Sequence, residues 1–175
     1  LKLSNLITMR MKMTGEERLN EFLQAVDDWI ECKNIILTRG PIKKLKSEEY
    51  RGNISRLLNF TADELKMLTG EECLCYAYEL QAYSEYLESV KAKEIIVLDW
   101  ADSSIWYIIS TVMNQYGTQY TKWQEKYYSA IRENPLASEI LKVKNHAEAR
   151  VKMLSGKADR MQNMAQTLNS LSRRR

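Results

Sequence analysis

An all-α fold is predicted, a long antiparallel helical hairpin or bundle with additional N-terminal helices. Three observations predict it. Between Thr69 and Ser172 there is one proline, Pro135, and there are three glycines, Gly70, Gly117 and Gly156. Apolar residues recur through that stretch every three or four positions, the period of one helix face. Three Thr-x-x-Glu runs stand where helices should begin, a pattern in which the threonine and glutamate side chains satisfy the orphan amides of a helix start. At 175 residues the chain is long enough to bury a core without covalent staples. The expected division is an N-terminal helical elaboration with a basic loop, residues 1–60, followed by the hairpin, residues 61–175.

The first helix is expected from Gly15 to Ile35, started by Thr14-Gly15-Glu16-Glu17 and ended by Arg39-Gly40-Pro41. Its inner face would be Leu19, Phe22, Leu23, Val26, Trp29 and Ile30. A second helix is expected from Ser47 to Asn59, with Gly52 a weak point inside it. Thr61-Ala62-Asp63-Glu64 and Thr69-Gly70-Glu71-Glu72 then start a short helix and a long one. Phe60 and Leu65 sit at the staple positions of the former. The long helix carries Tyr76, Leu80, Tyr83, Leu87 and Val90 on one stripe, continued by Val97, Ala101, Ile105, Ile108 and Val112. At Gly117 the helix either continues or breaks and restarts at Thr121-Lys122-Trp123-Gln124. In both cases Tyr116, Tyr120, Trp123, Tyr127 and Ile131 would hold the stripe. Asn134-Pro135 is a strong restart, because Asn caps and Pro favours the first helical position. The closing helix would run from Pro135 to Ser172, about 57 Å at 1.5 Å per residue, with Leu136, Ile140, Val143, Ala147, Val151, Leu154, Ala158, Met161, Ala165 and Leu168 inward.

Net charge is +3, but its distribution is uneven. Residues 62–103 hold ten acidic and three basic side chains, whereas residues 136–175 hold nine basic and three acidic. Opposite charge on two packed arms reads first as mutual attraction between helices, and second as a basic surface for a polyanion. Cys32, Cys73 and Cys75 have no zinc spacing, which points to a reducing compartment and a cytoplasmic location. Lys2 is followed by too short an apolar run before Arg10 to make a secretory signal. No apolar run approaches membrane-spanning length, so no membrane partner is expected.

Enzyme chemistry lacks parts. His146 is the single histidine, and no Glu-x-x-His pair, phosphate-binding glycine loop or nucleophile elbow occurs. No cofactor, metal or small-molecule substrate is expected. The carboxylates Glu71, Glu72, Glu79, Glu85, Glu88 and Glu94 read as a solvated stripe, and His146 as hydrogen-bonded or facing solvent.

Three features can bind a partner. The segment 39–46 carries Arg39, Lys43, Lys44 and Lys46 where Gly40 and Pro41 exclude a helix, so it reads as a solvated linker or a wrap for a phosphate backbone. On the closing helix Lys142, Arg150, Lys157 and Arg160 fall within an arc of about 80° at 100° per residue, and Arg173, Arg174 and Arg175 extend the charge. Cations there also complement the helix dipole, so structural and binding readings are balanced. Ten Tyr and four Trp accompany only two Phe. Tyr116, Tyr120, Trp123 and Tyr127 hold core spacing, which favours core or subunit contact over base stacking. Off the main stripe lie Tyr78, Tyr86, Trp100, Trp106, Tyr107 and Tyr128. A two-helix hairpin cannot cover all of these, so N-terminal helices or neighbouring copies must. Homo-oligomerisation is expected, with Tyr86, Trp100, Trp106, Tyr107 and Tyr128 at the interface.

Residues 78–171 resemble the small recombination mediator proteins of T4-type phages, the UvsY-like family. Tyr83-Ser84-Glu85-Tyr86-Leu87 is similar to that family's aromatic–Ser–x–aromatic–Leu run. Lys122-Trp123-Gln124-Glu125-Lys126-Tyr127-Tyr128 is similar to its Lys/aromatic/Tyr-Tyr cluster, and Leu136 to Leu171 matches the style of its closing helix. The resemblance implies a non-enzymatic accessory that oligomerises, binds single-stranded DNA on a basic surface, and helps a recombinase replace a single-strand-binding protein. The alternative is a helical structural or assembly protein, such as a virion component or scaffold, acting through protein–protein contacts.

Overall fold

The computed structural model describes residues 13–33, 46–117 and 122–174, and the described residues form seven α-helices and one 3-10 turn. They are α1 (Gly15–Cys32), α2 (Glu48–Leu58), α3 (Ala62–Met67), α4 (Gly70–Ile109), α5 (Trp123–Glu133), α6 (Pro135–Leu154) and α7 (Lys157–Ser172); the 3-10 turn spans Met113–Gln115. The described residues contain no strand, so the all-α expectation holds.

The three expected capping boxes form. Thr14, Thr61 and Thr69 each donate a backbone N–H to the glutamate three residues on, at 2.7, 2.8 and 2.7 Å. The hydroxyls of those threonines accept from the amides of Glu17, Glu64 and Glu72 at 3.2, 3.3 and 3.2 Å. Ser47 caps α2 in the same way, accepting from the Tyr50 amide at 3.2 Å. Gly52 does not break α2; it is exposed, and a side chain there would meet nothing within 4 Å.

The hairpin is interrupted at two points, one of them left open by the sequence and the other against expectation. The first arm ends at Ile109, before Gly117. Ser110, Thr111, Val112 and Asn114 follow, polar or β-branched residues that turn the backbone readily, and Gly117 adopts φ 92°. Tyr116, Tyr127 and Ile131 still pack on the Ala101–Ile105–Ile109 core, as expected of the stripe, whereas Trp123 is exposed. Lys122, not Thr121, occupies the cap position of α5, and it supplies no side-chain cap. The closing rod is also two helices, because Gly156 takes the left-handed φ of 75° between α6 and α7. The corner at Asn134-Pro135 is as expected: the Asn134 side chain accepts from the Ala137 amide at 3.1 Å, and Pro135 is the first residue of α6. The first helix stops at Cys32, short of the expected Ile35.

The helices form two compact units, each drawing on α4. One contains α1, α4 from Glu94 onward, α5 and α6 as far as Val151; the other contains α2, α3, α4 up to Lys93, and α7. The expected partition at residue 60 follows the order of elements along the chain, whereas each compact unit gathers distant segments. In the first unit Ala101, Ile105 and Ile109 of α4 pack on Ala130 and Ile131 of α5 and Ala137 and Ile140 of α6. Ala101 and Ile105 are fully buried as expected, and Ile109, rather than the expected Ile108 or Val112, is the next fully buried residue. The N-terminus of α1 meets α6, where a side chain at Gly15 would come within 3.1 Å of Ile140.

In the second unit the core is Tyr50, Ile54 and Leu57 of α2, Cys73, Ala77 and Leu80 of α4, and Met161, Ala165 and Leu168 of α7. The Ser84 hydroxyl, fully buried, donates to the Ala158 carbonyl at 3.1 Å. The Tyr50 hydroxyl donates to the Glu79 carbonyl at 3.1 Å. Burial, and then the Glu79 charge, push the Tyr50 phenol up to about 12, so it remains a donor across the physiological range. Cys73 is sealed in this core, whereas Cys32 and Cys75 are exposed.

Two expectations can be checked by unfolding. Gly156→Ala meets no steric obstacle, so its cost is the left-handed backbone alone, about 1–2 kcal/mol; a lowered thermal midpoint is expected, with Gly156→Asn milder. The amide and hydroxyl of Thr69 hold the Glu72 carboxyl below its ordinary value. That contribution is complete above the unfolded pKa and disappears as pH falls through the lowered folded pKa. Glu72→Gln should lower stability at neutral pH, flatten the acid limb of a stability–pH curve, and leave the value below the folded pKa little changed.

Candidate nucleic-acid interface

Arg39, Lys43, Lys44 and Arg175 lie outside the described residues. Lys46 is described and exposed, one residue before the Ser47 cap of α2. The remaining cations fall into two sets, because Gly156 interrupts the helix on which they were to form one stripe. The 100° step that aligned them does not carry through a left-handed residue. Lys142 and Arg150 belong to α6 and the first unit, whereas Lys157, Arg160, Arg173 and Arg174 belong to the second.

Within the first unit α6 runs antiparallel to α4, and its cations meet α4 carboxylates. Arg150 Nε lies 2.8 Å from Glu94 Oε2. Lys144 donates to Asp102. Burial alone would lower the Lys144 ammonium; the Asp102 hydrogen bond and charge outweigh it and leave it above its ordinary value. The attraction between oppositely charged arms is thus a real contact at two points, and it occupies Arg150. Lys142 is exposed.

In the second unit Lys157, Arg160, Arg173 and Arg174 are all exposed. A shallow cavity of about 530 Å³ lies along α7, lined by Asn163, Gln166, Thr167, Ser170, Leu171 and Arg174. Amides, hydroxyls and a guanidinium there offer donors and acceptors on one polar wall. Charge and position in the sequence identify the cations of this wall but not its amides. Asn163, Gln166, Thr167 and Ser170 read in the sequence as ordinary outward helix positions.

The aromatic residues assigned to a subunit interface divide as well. Tyr86 is half-buried against the second core, with its ring 5.7 Å from that of Tyr83. Trp100 is half-buried against the first core and stacks on Phe22 of α1 at 6.2 Å and 26°. The chain's own helices cover both. Trp106, Tyr107 and Tyr128 remain open, at 44%, 86% and 59% exposure, as does Trp123 at 51%. Trp123 and Tyr127 stack at 5.1 Å and 22°. Trp106 stands edge-on to both, at 5.6 and 6.1 Å, and Tyr128 is edge-on to Tyr127 at 5.2 Å. Core spacing therefore misplaces Trp123, at the exposed start of α5, but not Ile131, which is buried beside Ala130.

The apolar face of α1 is only half covered. Leu19, Phe22, Leu23, Val26 and Ile30 are half-buried, and Trp29 is exposed. His146 is exposed. Among the described residues no group of three His, Cys, Asp or Glu could hold a metal ion, and no helix is long and apolar enough to cross a membrane. Comparison with protein-family models, curated proteins and solved structures returns no match.

The two sets of cations should behave differently when reversed. Arg150→Glu opposes a carboxylate to Glu94 and should lower stability by about 0.5–1 kcal/mol, the range of a partly exposed pair. Lys157→Glu and Arg160→Glu, on an open surface, should leave the denaturant midpoint nearly unchanged.

Proposed function

We propose that the chain is a non-enzymatic helical accessory protein that self-associates and binds single-stranded nucleic acid. The observation that carries this reading is the exposure of Lys157, Arg160, Arg173 and Arg174 on and just after α7, with Arg174 lining a shallow groove beside amides and hydroxyls of that helix. Such a surface holds a sugar–phosphate backbone without reading sequence. Opposite charge within the chain is consumed at Arg150 and Lys144, which makes the unconsumed cations of α7 the more telling. The likeness to UvsY-like mediators points the same way, toward a phage protein acting in the host cytoplasm that helps a recombinase displace a single-strand-binding protein.

A second reading has its own support. The half-covered apolar face of α1, with Trp29 outward, suits a helical assembly or virion protein that works by protein–protein contacts.

Binding of a labelled single-stranded oligonucleotide across a salt series separates the two. Log affinity should fall with log salt at about 0.7 per neutralised phosphate for single strands. The combined change Lys157→Glu, Arg160→Glu, Arg173→Glu and Arg174→Glu should remove most of that slope. An intact chain that fails to bind at low salt would leave the assembly reading standing alone.

A further inference from the structure

The geometry points to a further site, separate from the α7 wall: a base-stacking site made by Trp106, Trp123, Tyr127 and Tyr128 in the first unit. It rests on the nucleic-acid reading and adds to it the class of group recognised, an unpaired nucleobase. The four rings contact one another, so they are ordered before any ligand arrives, which reduces the entropy cost of binding. Of the four, only Tyr127 packs against the core, where it anchors the other rings. The side of α5 that packs inward is Ala130 and Ile131, both buried, while Trp106, Trp123 and Tyr128 are about half exposed. Indole and phenol rings present flat π faces with polar edges, the form that stacks on any base irrespective of sequence.

Charge complementarity selects the occupant. Lys122 and Lys126 alternate with the rings along the start of α5, the former exposed and the latter half-buried. Cations spaced between stacking rings match a strand in which phosphates and bases alternate. Duplex DNA is unsuited, because its bases are already stacked on one another.

The test follows tryptophan fluorescence of the full chain during titration with oligothymidylate and with an abasic deoxyribose-phosphate strand of equal length. Thymidylate should quench the emission and bind more tightly than the abasic strand. Trp123→Ala should weaken thymidylate binding by about 5- to 150-fold, the effect of losing one stacked base. Trp123→Phe should restore affinity while reducing the amplitude of quenching, and Tyr128→Ser provides a separate variant at an exposed ring. Retained helical circular dichroism in all three guards against misfolding as the cause. Equal affinity for the two strands, with Trp123→Ala unaffected, overturns the stacking site and leaves salt-dependent backbone binding, and hence the proposed function, intact. A Trp123→Ala chain that loses self-association but keeps its thymidylate affinity also overturns it, assigning the rings to a copy–copy contact. No binding of either strand by the intact chain ends both readings together.

Discussion

Close packing of small side chains along α4 is the constraint on which the rest depends. Ala77 and Ala82 in the second unit, and Ala101 in the first, are almost wholly buried. Facing helices supply Ala165 and Ala158 in one case, and Ala137 and Ala147 in the other. Small residues on both sides let helix backbones approach, and the larger Leu80, Ile105, Ile109, Ile140 and Leu168 fill the gaps between them. One uninterrupted helix thus furnishes a wall to each of two cores. A large side chain at any of these alanines would force the helices apart, which is why the period of the apolar residues alone describes the fold only coarsely.

Helix starts are the most legible part of this chain. A threonine with a glutamate three residues later acts locally, and all three such boxes form as their residues require. Asn134-Pro135 is equally local and equally legible. The interruptions are harder to read. Gly156 sits within an apolar period that continues on both sides, and a glycine inside a helix costs only about 1 kcal/mol. Nothing in the neighbouring residues says whether the backbone absorbs that cost or turns left-handed. The end of α4 is obscured for a similar reason, since Ile108 and Val112 extend the period beyond the point where Ser110 and Thr111 turn the chain.

The surface is less legible than the fold because composition does not reveal register. Arg150 and Arg160 look alike in the sequence, yet the pairing of α6 with α4 places one beside Glu94 and leaves the other open. Trp100 and Trp106 are equally ambiguous, and only the position of Phe22 on α1 decides that the former is covered. What separates a buried aromatic from an available one is the neighbour across the helix. That neighbour is set by tertiary packing, which no spacing within a single segment encodes.

The placement of the cysteines has a practical corollary. Cys73 is shut inside the core, while Cys32 and Cys75 face solvent, one in each compact unit. Maleimide dyes would therefore attach at two natural positions and spare the third. The unaltered chain can thus carry one dye in each compact unit without any cysteine being removed.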